Sequence, residues 1–72
     1  MKTKQKARIL NRAKRMIATY LLLRKVDLPL PALSKHFKVD VRSIQRDLKL
    51  LREAGAPIEK SDLGYFVDVR KD

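Results

Sequence analysis

The clearest structural signal in the chain is a segment in which two helical patterns meet across a short break. It reads Leu33-Ser34-Lys35-His36-Phe37-Lys38-Val39-Asp40-Val41-Arg42-Ser43-Ile44-Gln45-Arg46-Asp47-Leu48. Beyond the break, apolar residues recur at three- and four-residue intervals, which indicates a helix of about fourteen residues; they are Val41, Ile44, Leu48 and Leu51. Asp40 is a favoured N-cap for this helix, whereas Gly55 and then Pro57 end it.

A shorter helix is predicted immediately before the break. Residues 30–37 place Leu30, Leu33 and Phe37 on one face, and Pro31 is tolerated in a first helical turn. Lys38 and Val39 form the break itself. Two helices joined by a turn of a few residues are typical of a helix-turn-helix motif.

A third helix is predicted further upstream, from Lys6 onward. Its apolar residues have helical spacing and make it amphipathic; they are Ile9, Ala13, Met16, Ile17, Tyr20 and Leu23. Asp27, Pro29 and Pro31 end this helix, because proline removes a backbone donor and restricts the residue before it.

After Pro57 the period of the pattern changes to two, which is typical of strands. Ile58 starts an extended run, residues 60–64 supply turn chemistry, and apolar residues then alternate at Tyr65, Val67 and Val69. We therefore expect a mainly α fold with a small β-hairpin: a winged helix-turn-helix of three helices plus a wing. It forms a single domain over residues 1–72, with a basic arm over about residues 1–8.

The charge balance favours a polyanionic partner. The chain has 72 residues, with 18 Lys and Arg against 8 Asp and Glu and a formal net charge of +10. Nine of these cations precede residue 26, and no acidic residue precedes Asp27. Such a potential raises the rate of encounter with nucleic acid.

Composition argues against an enzyme or a metal protein. There is no cysteine, His36 is the one histidine, and aromatic residues make up 6 % of the chain, which leaves little for a deep ligand pocket. We expect no catalysis, no cofactor and no metal site. The longest apolar run is far too short to span a membrane, and no signal-peptide pattern is present, so a cytoplasmic protein is expected.

Three short motifs resemble the DNA-binding domain of DeoR-type and WYL-type bacterial regulators. They are Arg42-Ser43-Ile44-Gln45-Arg46-Asp47-Leu48, Ala54-Gly55-Ala56-Pro57-Ile58 and Gly64-Tyr65. The resemblance covers about residues 16–69 and implies a regulator that binds operator DNA. The chain differs from that pattern in having Asp40 where serine is usual and Lys38 where glycine is common. Those regulators continue into a sensing domain, whereas no small-molecule effector domain is expected here.

The predicted recognition surface lies on the helix that follows Asp40. At about 100° per residue, Arg42, Arg46 and Lys49 point away from the apolar face. Gln45 and Ser43 flank them, and together these five side chains offer groups that hydrogen-bond to guanine, adenine and phosphate. The alternative is an ordinary solvated helix face.

Further cations are predicted to touch the DNA backbone, and one acid is assigned a structural role. Lys35 and Lys60, the latter in the hairpin turn, are placed where winged motifs contact phosphates. The arm adds non-specific contacts through Lys4, Lys6, Arg8 and Arg12. Each of these residues has plain surface charge as its alternative. Asp47 borders the core and is expected either to pair with a cation on a neighbouring helix or to cap a backbone group.

Double-stranded DNA is the predicted partner, with a weak homodimer on the operator that uses the first helix, Leu50 or the edge at residues 65–69. No membrane partner is expected under this interpretation. Two alternatives stay open, because fold does not determine function. One is a protein-interaction or inhibitor module, and the other is binding of RNA or an anionic membrane by the basic first helix.

Overall fold

Three helices precede a two-stranded hairpin in the computed structural model, which describes the backbone of residues 2–71 and the side chains of residues 9–71. The helices are α1 (Lys2–Leu23), α2 (Leu30–Phe37) and α3 (Val41–Glu53), and the strands are β1 (Ile58–Ser61) and β2 (Gly64–Val67). The predicted fold class, mainly α with a small hairpin, is confirmed.

The turn between α2 and α3 is held by hydrogen bonds within it. Lys38 adopts the left-handed conformation with φ 57° and ψ 42°, although it carries a side chain. The Ser34 hydroxyl donates to the Val39 carbonyl at 2.5 Å, and the Val39 amide donates back to the Ser34 carbonyl at 3.1 Å. These bonds stabilise a conformation that glycine adopts more readily.

The predicted N-cap of α3 is confirmed. Asp40 Oδ1 accepts a hydrogen bond of 2.9 Å from the Ser43 amide, one of the free donors of the first helical turn. Hydrogen bonds from Ser43 favour the ionised form and lower the pKa of the Asp40 carboxyl. The helix therefore begins with a charged cap at neutral pH, which also suits the helix dipole.

The core is built around α3, with contributions from all five elements. Its six buried apolar residues come from α1, α2, α3 and both strands; they are Leu23, Leu33, Ile44, Leu48, Ile58 and Val67. Tyr20, Phe37 and Tyr65 are partly buried and pack against this cluster, as predicted.

Helix α1 buries only part of the side that its periodicity predicted. It begins at Lys2, before the predicted start at Lys6. On the predicted side, Leu23 is almost fully buried and Tyr20 packs against the core, whereas Ile9 and Ile17 are 68 % and 60 % exposed. Thr19, which lies off that side, is fully buried. A domain of this size has too small a core to cover every apolar position of a 22-residue helix. Periodicity therefore identified the helix but only part of the side that packs.

The hairpin differs from its prediction at both ends. The strands pair antiparallel from Ile58↔Val67 to Ser61↔Gly64, so Lys60 lies in β1 opposite Tyr65 and not in the turn. Val69 lies beyond β2 and is 52 % exposed. The strand ends because the Asp68 carboxylate and carbonyl accept the amides of Arg70 and Lys71 and fold the chain into a turn.

The wing is hydrogen-bonded near its turn to the segment between α1 and α2. The Leu28 amide donates to the Tyr65 carbonyl at 3.0 Å, and the Tyr65 amide donates to the Leu28 carbonyl at 2.8 Å. The backbones approach so closely that a Cβ placed on Gly64 would overlap the Leu28 carbonyl carbon. Gly64 also has φ +139°, a conformation that L side chains rarely adopt.

Replacing Gly64 with alanine is expected to lower the free energy of unfolding by more than about 2 kcal/mol, because strain and a backbone clash combine. Gly55→Ala is the matched control: Gly55 has φ +103°, but a Cβ added there would have nothing within 4 Å of it. Strain alone predicts a loss of about 1 kcal/mol there. Urea denaturation followed by circular dichroism measures both values, and equal losses would contradict the close approach.

Candidate nucleic-acid interface

Helix α3 presents one apolar side to the core and one polar side to solvent. Ile44 and Leu48 are 0 % and 3 % exposed. On the outer side, four exposed side chains line a single shallow groove; they are Arg42, Gln45, Arg46 and Lys49. The structure therefore brings together four of the five residues predicted for recognition.

Ser43, the fifth residue, lies apart from this groove. It is half-buried, and its backbone amide is committed to the Asp40 cap. Its place is at the start of α3, where it helps to fix the helix end. A base contact from Ser43 stays a prediction.

A second groove joins α3 to the wing and contains a cation that the sequence interpretation missed. It is lined by Gln45, Leu48, Lys49, Arg52 and Tyr65. The Arg52 guanidinium lies 5.8 Å from the centre of the Tyr65 ring, and its Nε donates to the Ile58 carbonyl at 3.2 Å. The signal that could have found Arg52 is its spacing, three residues after Lys49 and seven after Gln45, which places all three on one helix side.

The other predicted backbone contacts lie on separate elements. Lys60 is exposed on β1 with its Nζ 5.8 Å from the Tyr65 ring centre, and Lys35 is exposed on α2. Their contacts with phosphate stay predictions. Three arm residues lie outside the residues whose side chains are described; they are Lys4, Lys6 and Arg8.

Asp47 connects α3 to α1 from the side facing away from the groove. Its carboxylate is fully buried and accepts from Arg15 Nε at 2.5 Å and Arg15 Nη2 at 3.1 Å. Arg12 Nε adds a bond of 3.3 Å. The hydrogen bond with Asp47 raises the pKa of the Arg15 guanidinium. The predicted structural role of Asp47 is confirmed, and Arg12, predicted to reach DNA from the arm, has a protein partner in α3.

Neither a metal centre nor a membrane span is found in the part of the chain that the structure describes. No group of three His, Cys, Asp or Glu side chains there could hold a metal ion. No helix within that part is long and apolar enough to cross a bilayer.

Comparison with known protein families identifies the family to which this arrangement of helices and hairpin belongs. A family model described as an HTH domain matches residues 12–66, from within α1 to β2. The chain belongs to this helix-turn-helix family. No curated protein and no solved structure matches the chain.

The helix-turn-helix domain defined by this match is a DNA-binding domain of transcription regulators, and its partner class is duplex DNA. The family model is found in WYL-type regulators, one of the two groups that the sequence motifs resemble. The DeoR-type resemblance stays a prediction. Within the helix-turn-helix domain α3 takes the position of the recognition helix, and the hairpin is the wing.

Proposed function

We propose that this chain binds duplex DNA in a sequence-specific manner and regulates transcription by occupying an operator. One observation carries the proposal: two arginines, a glutamine and a lysine share a groove on the outer side of α3, opposite its buried face. A helix of this kind fits the major groove of B-form DNA. The mechanism is binding without a chemical step and without a cofactor.

The side chains in the groove match the edges of specific bases. The guanidinium groups of Arg42 and Arg46 can each donate two hydrogen bonds to O6 and N7 of guanine. The Gln45 amide can both donate to and accept from adenine, whereas the Lys49 ammonium suits guanine or phosphate. The α3 groove is thus proposed to read bases directly.

Contacts outside the groove are proposed to position the domain on the duplex. Lys35 on α2 and Lys60 on β1 would bind phosphates on either side of α3. The wing would lie over the flanking backbone, with Arg52 at its junction with α3. The amino-terminal cations add affinity that does not depend on sequence.

Two copies are proposed to occupy one operator. A single domain of 72 residues offers few base contacts. Pairing half-sites across a twofold axis multiplies the selectivity that each copy provides. The operator is therefore expected to contain a repeated half-site.

Selection of bound sequences from a random duplex pool tests the proposal, and variants of α3 then test the assignment. Arg42→Ala and Arg46→Ala are each expected to reduce the preference for the selected site over random duplex by about 5- to 150-fold, because a bidentate base contact is worth about 1–3 kcal/mol.

Arg70→Ala is the matched control, because Arg70 is exposed beyond the wing and outside the α3 groove. It is expected to leave the preference unchanged. A pool that produces no sequence motif would reject sequence-specific binding. Arg42 and Arg46 variants with an unaltered preference would reject the recognition-helix assignment.

A further inference from the structure

The outer side of α1 carries apolar residues that the rest of the domain leaves largely uncovered. Ile9, Leu10 and Ile17 are 68 %, 56 % and 60 % exposed. Ala13 is exposed between them, and Met16 is half-buried at their edge. We call these five residues the α1 stripe; a contiguous apolar surface of this kind marks an interaction site.

The α1 stripe is symmetric in sequence about Ala13. Isoleucine stands four residues before and four residues after it, at Ile9 and Ile17. Leu10 and Met16 stand three residues before and after it. At about 100° per residue these pairs lie about 40° and 60° to either side of the Ala13 direction. In an antiparallel pair of α1 helices centred on Ala13, each apolar position therefore lies at the same height as an apolar position of the other helix.

We propose that a second copy of this chain docks on the α1 stripe, with the two α1 helices antiparallel about a twofold axis at Ala13. Ile9 then meets Ile17 of the second copy, and Leu10 meets Met16 of the second copy. The small side chain at the axis lets the helices approach closely. The inference rests on the proposed function in one respect: it identifies the surface that pairs two copies on an operator.

A groove beside the stripe supplies the complementary shape. It has a volume of about 380 Å³ and is mostly apolar. Its lining comes from α1 and the end of α3: Ile17, Tyr20, Leu51, Ala54, Gly55 and Ala56. In the antiparallel arrangement, the Ile9 end of the second copy lies over this groove, and the same contact repeats across the axis. Such self-complementarity is what a twofold interface requires.

The available area predicts a weak dimer. Burying an aliphatic side chain removes on the order of 100 Å² of surface, so the stripe offers roughly 400 Å² per copy. The resulting total of about 800 Å² lies below the roughly 1,200–2,000 Å² of stable complexes, in the range of transient ones. Free protein is therefore monomeric when dilute and associates as its concentration rises.

Charge gives this association a characteristic dependence on salt. The first 26 residues contain nine cations and no acid, so pairing two α1 helices brings like charges together. Added salt screens this repulsion and strengthens the dimer. Binding to DNA has the opposite dependence, because salt competes with the cations for phosphate. The two equilibria are thus separable in one protein.

Cysteine cross-linking tests the interface directly, because the native chain contains no cysteine. Ala13→Cys, on the proposed axis, is expected to form a disulfide-linked dimer under mild oxidation. Ala18→Cys is the matched control: it is also an exposed alanine on α1, but about 140° around the helix from Ala13. It is expected to stay monomeric under the same conditions.

The direction of pairing is tested by mixing Ile9→Cys and Ile17→Cys chains of different mass. The antiparallel register predicts mainly mixed dimers, whereas a parallel pair would link like with like. Equal cross-linking of Ala13→Cys and Ala18→Cys, or predominance of like pairs, would overturn the proposal.

Sedimentation of the free protein over a range of concentrations tests association without cross-links. Ile17→Glu is expected to weaken the dimer at least tenfold, since it replaces an apolar contact with Ile9 of the second copy by a charge that must lose water to be buried. Leu63→Glu is the control, because Leu63 is 73 % exposed in the wing turn. Wild-type protein that stays monomeric, or that binds anionic phospholipid vesicles through Ile17 without self-associating, would overturn the proposal.

Binding to a duplex that contains a single half-site separates the test of the α1 interface from the test of the proposed function. Ile17→Glu is expected to bind a single half-site as wild type does, whereas Arg46→Ala loses its preference and still dimerises. If the protein dimerises but selects no sequence motif, operator binding is rejected and the α1 interface is not. If the protein selects a sequence motif but binds it only as a monomer, the α1 interface is rejected and operator binding is not.

Discussion

Replacing Asp47 with alanine is expected to remove about 3–5 kcal/mol from the free energy of unfolding, since breaking a buried ion pair leaves charge without a partner. The carboxylate is fully buried between α3 and α1 and accepts both bonds of the Arg15 fork. The side chain of Arg15 is only 20 % exposed, so water replaces little of what its charge loses. A domain of this length has a total free energy of unfolding of roughly 4–11 kcal/mol. The variant therefore loses a large share of its folded population.

Denaturation in urea at neutral pH measures this loss. Arg12→Ala provides the comparison, because the Arg12 side chain is 45 % exposed and leaves Asp47 its two bonds to Arg15. Arg12→Ala is expected to lower the free energy of unfolding by less than about 1 kcal/mol, as for other exposed ion pairs. A loss below about 1 kcal/mol for Asp47→Ala would show that the pair does not hold α1 against α3.

The affinity for duplex DNA is expected to fall by about 10³- to 10⁵-fold between 50 and 200 mM salt. Six to ten contacts between cations and phosphates give a slope of about −5 to −9 in a plot of log affinity against log salt, at about −0.9 per contact. The exposed cations on α3, α2 and β1, together with the cations at the amino terminus, are numerous enough for this number of contacts. Titration of labelled duplex at several salt concentrations measures the slope.

A pair of lysine variants locates these contacts. Lys49→Gln, in the α3 groove, is expected to make the slope shallower by about 0.9 if Lys49 contacts phosphate. Lys25→Gln removes the same charge from an exposed position after α1, outside the predicted interface, and is expected to leave the slope unchanged. An affinity for DNA that does not change with salt would reject binding through contacts between cations and phosphates.

Helix α3 was predictable because each of its local signals favours the same structure. Asp40 caps it, its apolar spacing selects one buried side, and Gly55 with positive φ follows its end. The opposite side then has to carry the polar groups. Four of the five predicted recognition residues consequently share a groove, and only Ser43, at the capped end, lies elsewhere.

The packing of α1 and the wing was less predictable because it depends on partners distant in sequence. The side of α1 that faces the domain includes Arg12, Arg15 and Thr19, polar residues that periodicity assigns to solvent. Asp47 accepts from the two arginines, and the Thr19 hydroxyl bonds to the Arg15 carbonyl at 2.7 Å. The contact of Arg52 with Tyr65 depends on the wing in the same way, although spacing alone places Arg52 on the same side of α3 as Gln45 and Lys49.

If the apolar stripe on α1 pairs two copies on an operator, it sets how steeply a promoter responds to the amount of this protein. If dilute chains are monomers and pair on the operator, occupancy at low concentration follows the square of the protein concentration, so doubling the protein raises occupancy roughly fourfold. A linear binder would only double it. Ile17→Glu would convert the steep dose–response curve into a shallow one while leaving base readout intact. With this interface on α1, a small change in the level of expression would thus produce a large change in operator occupancy.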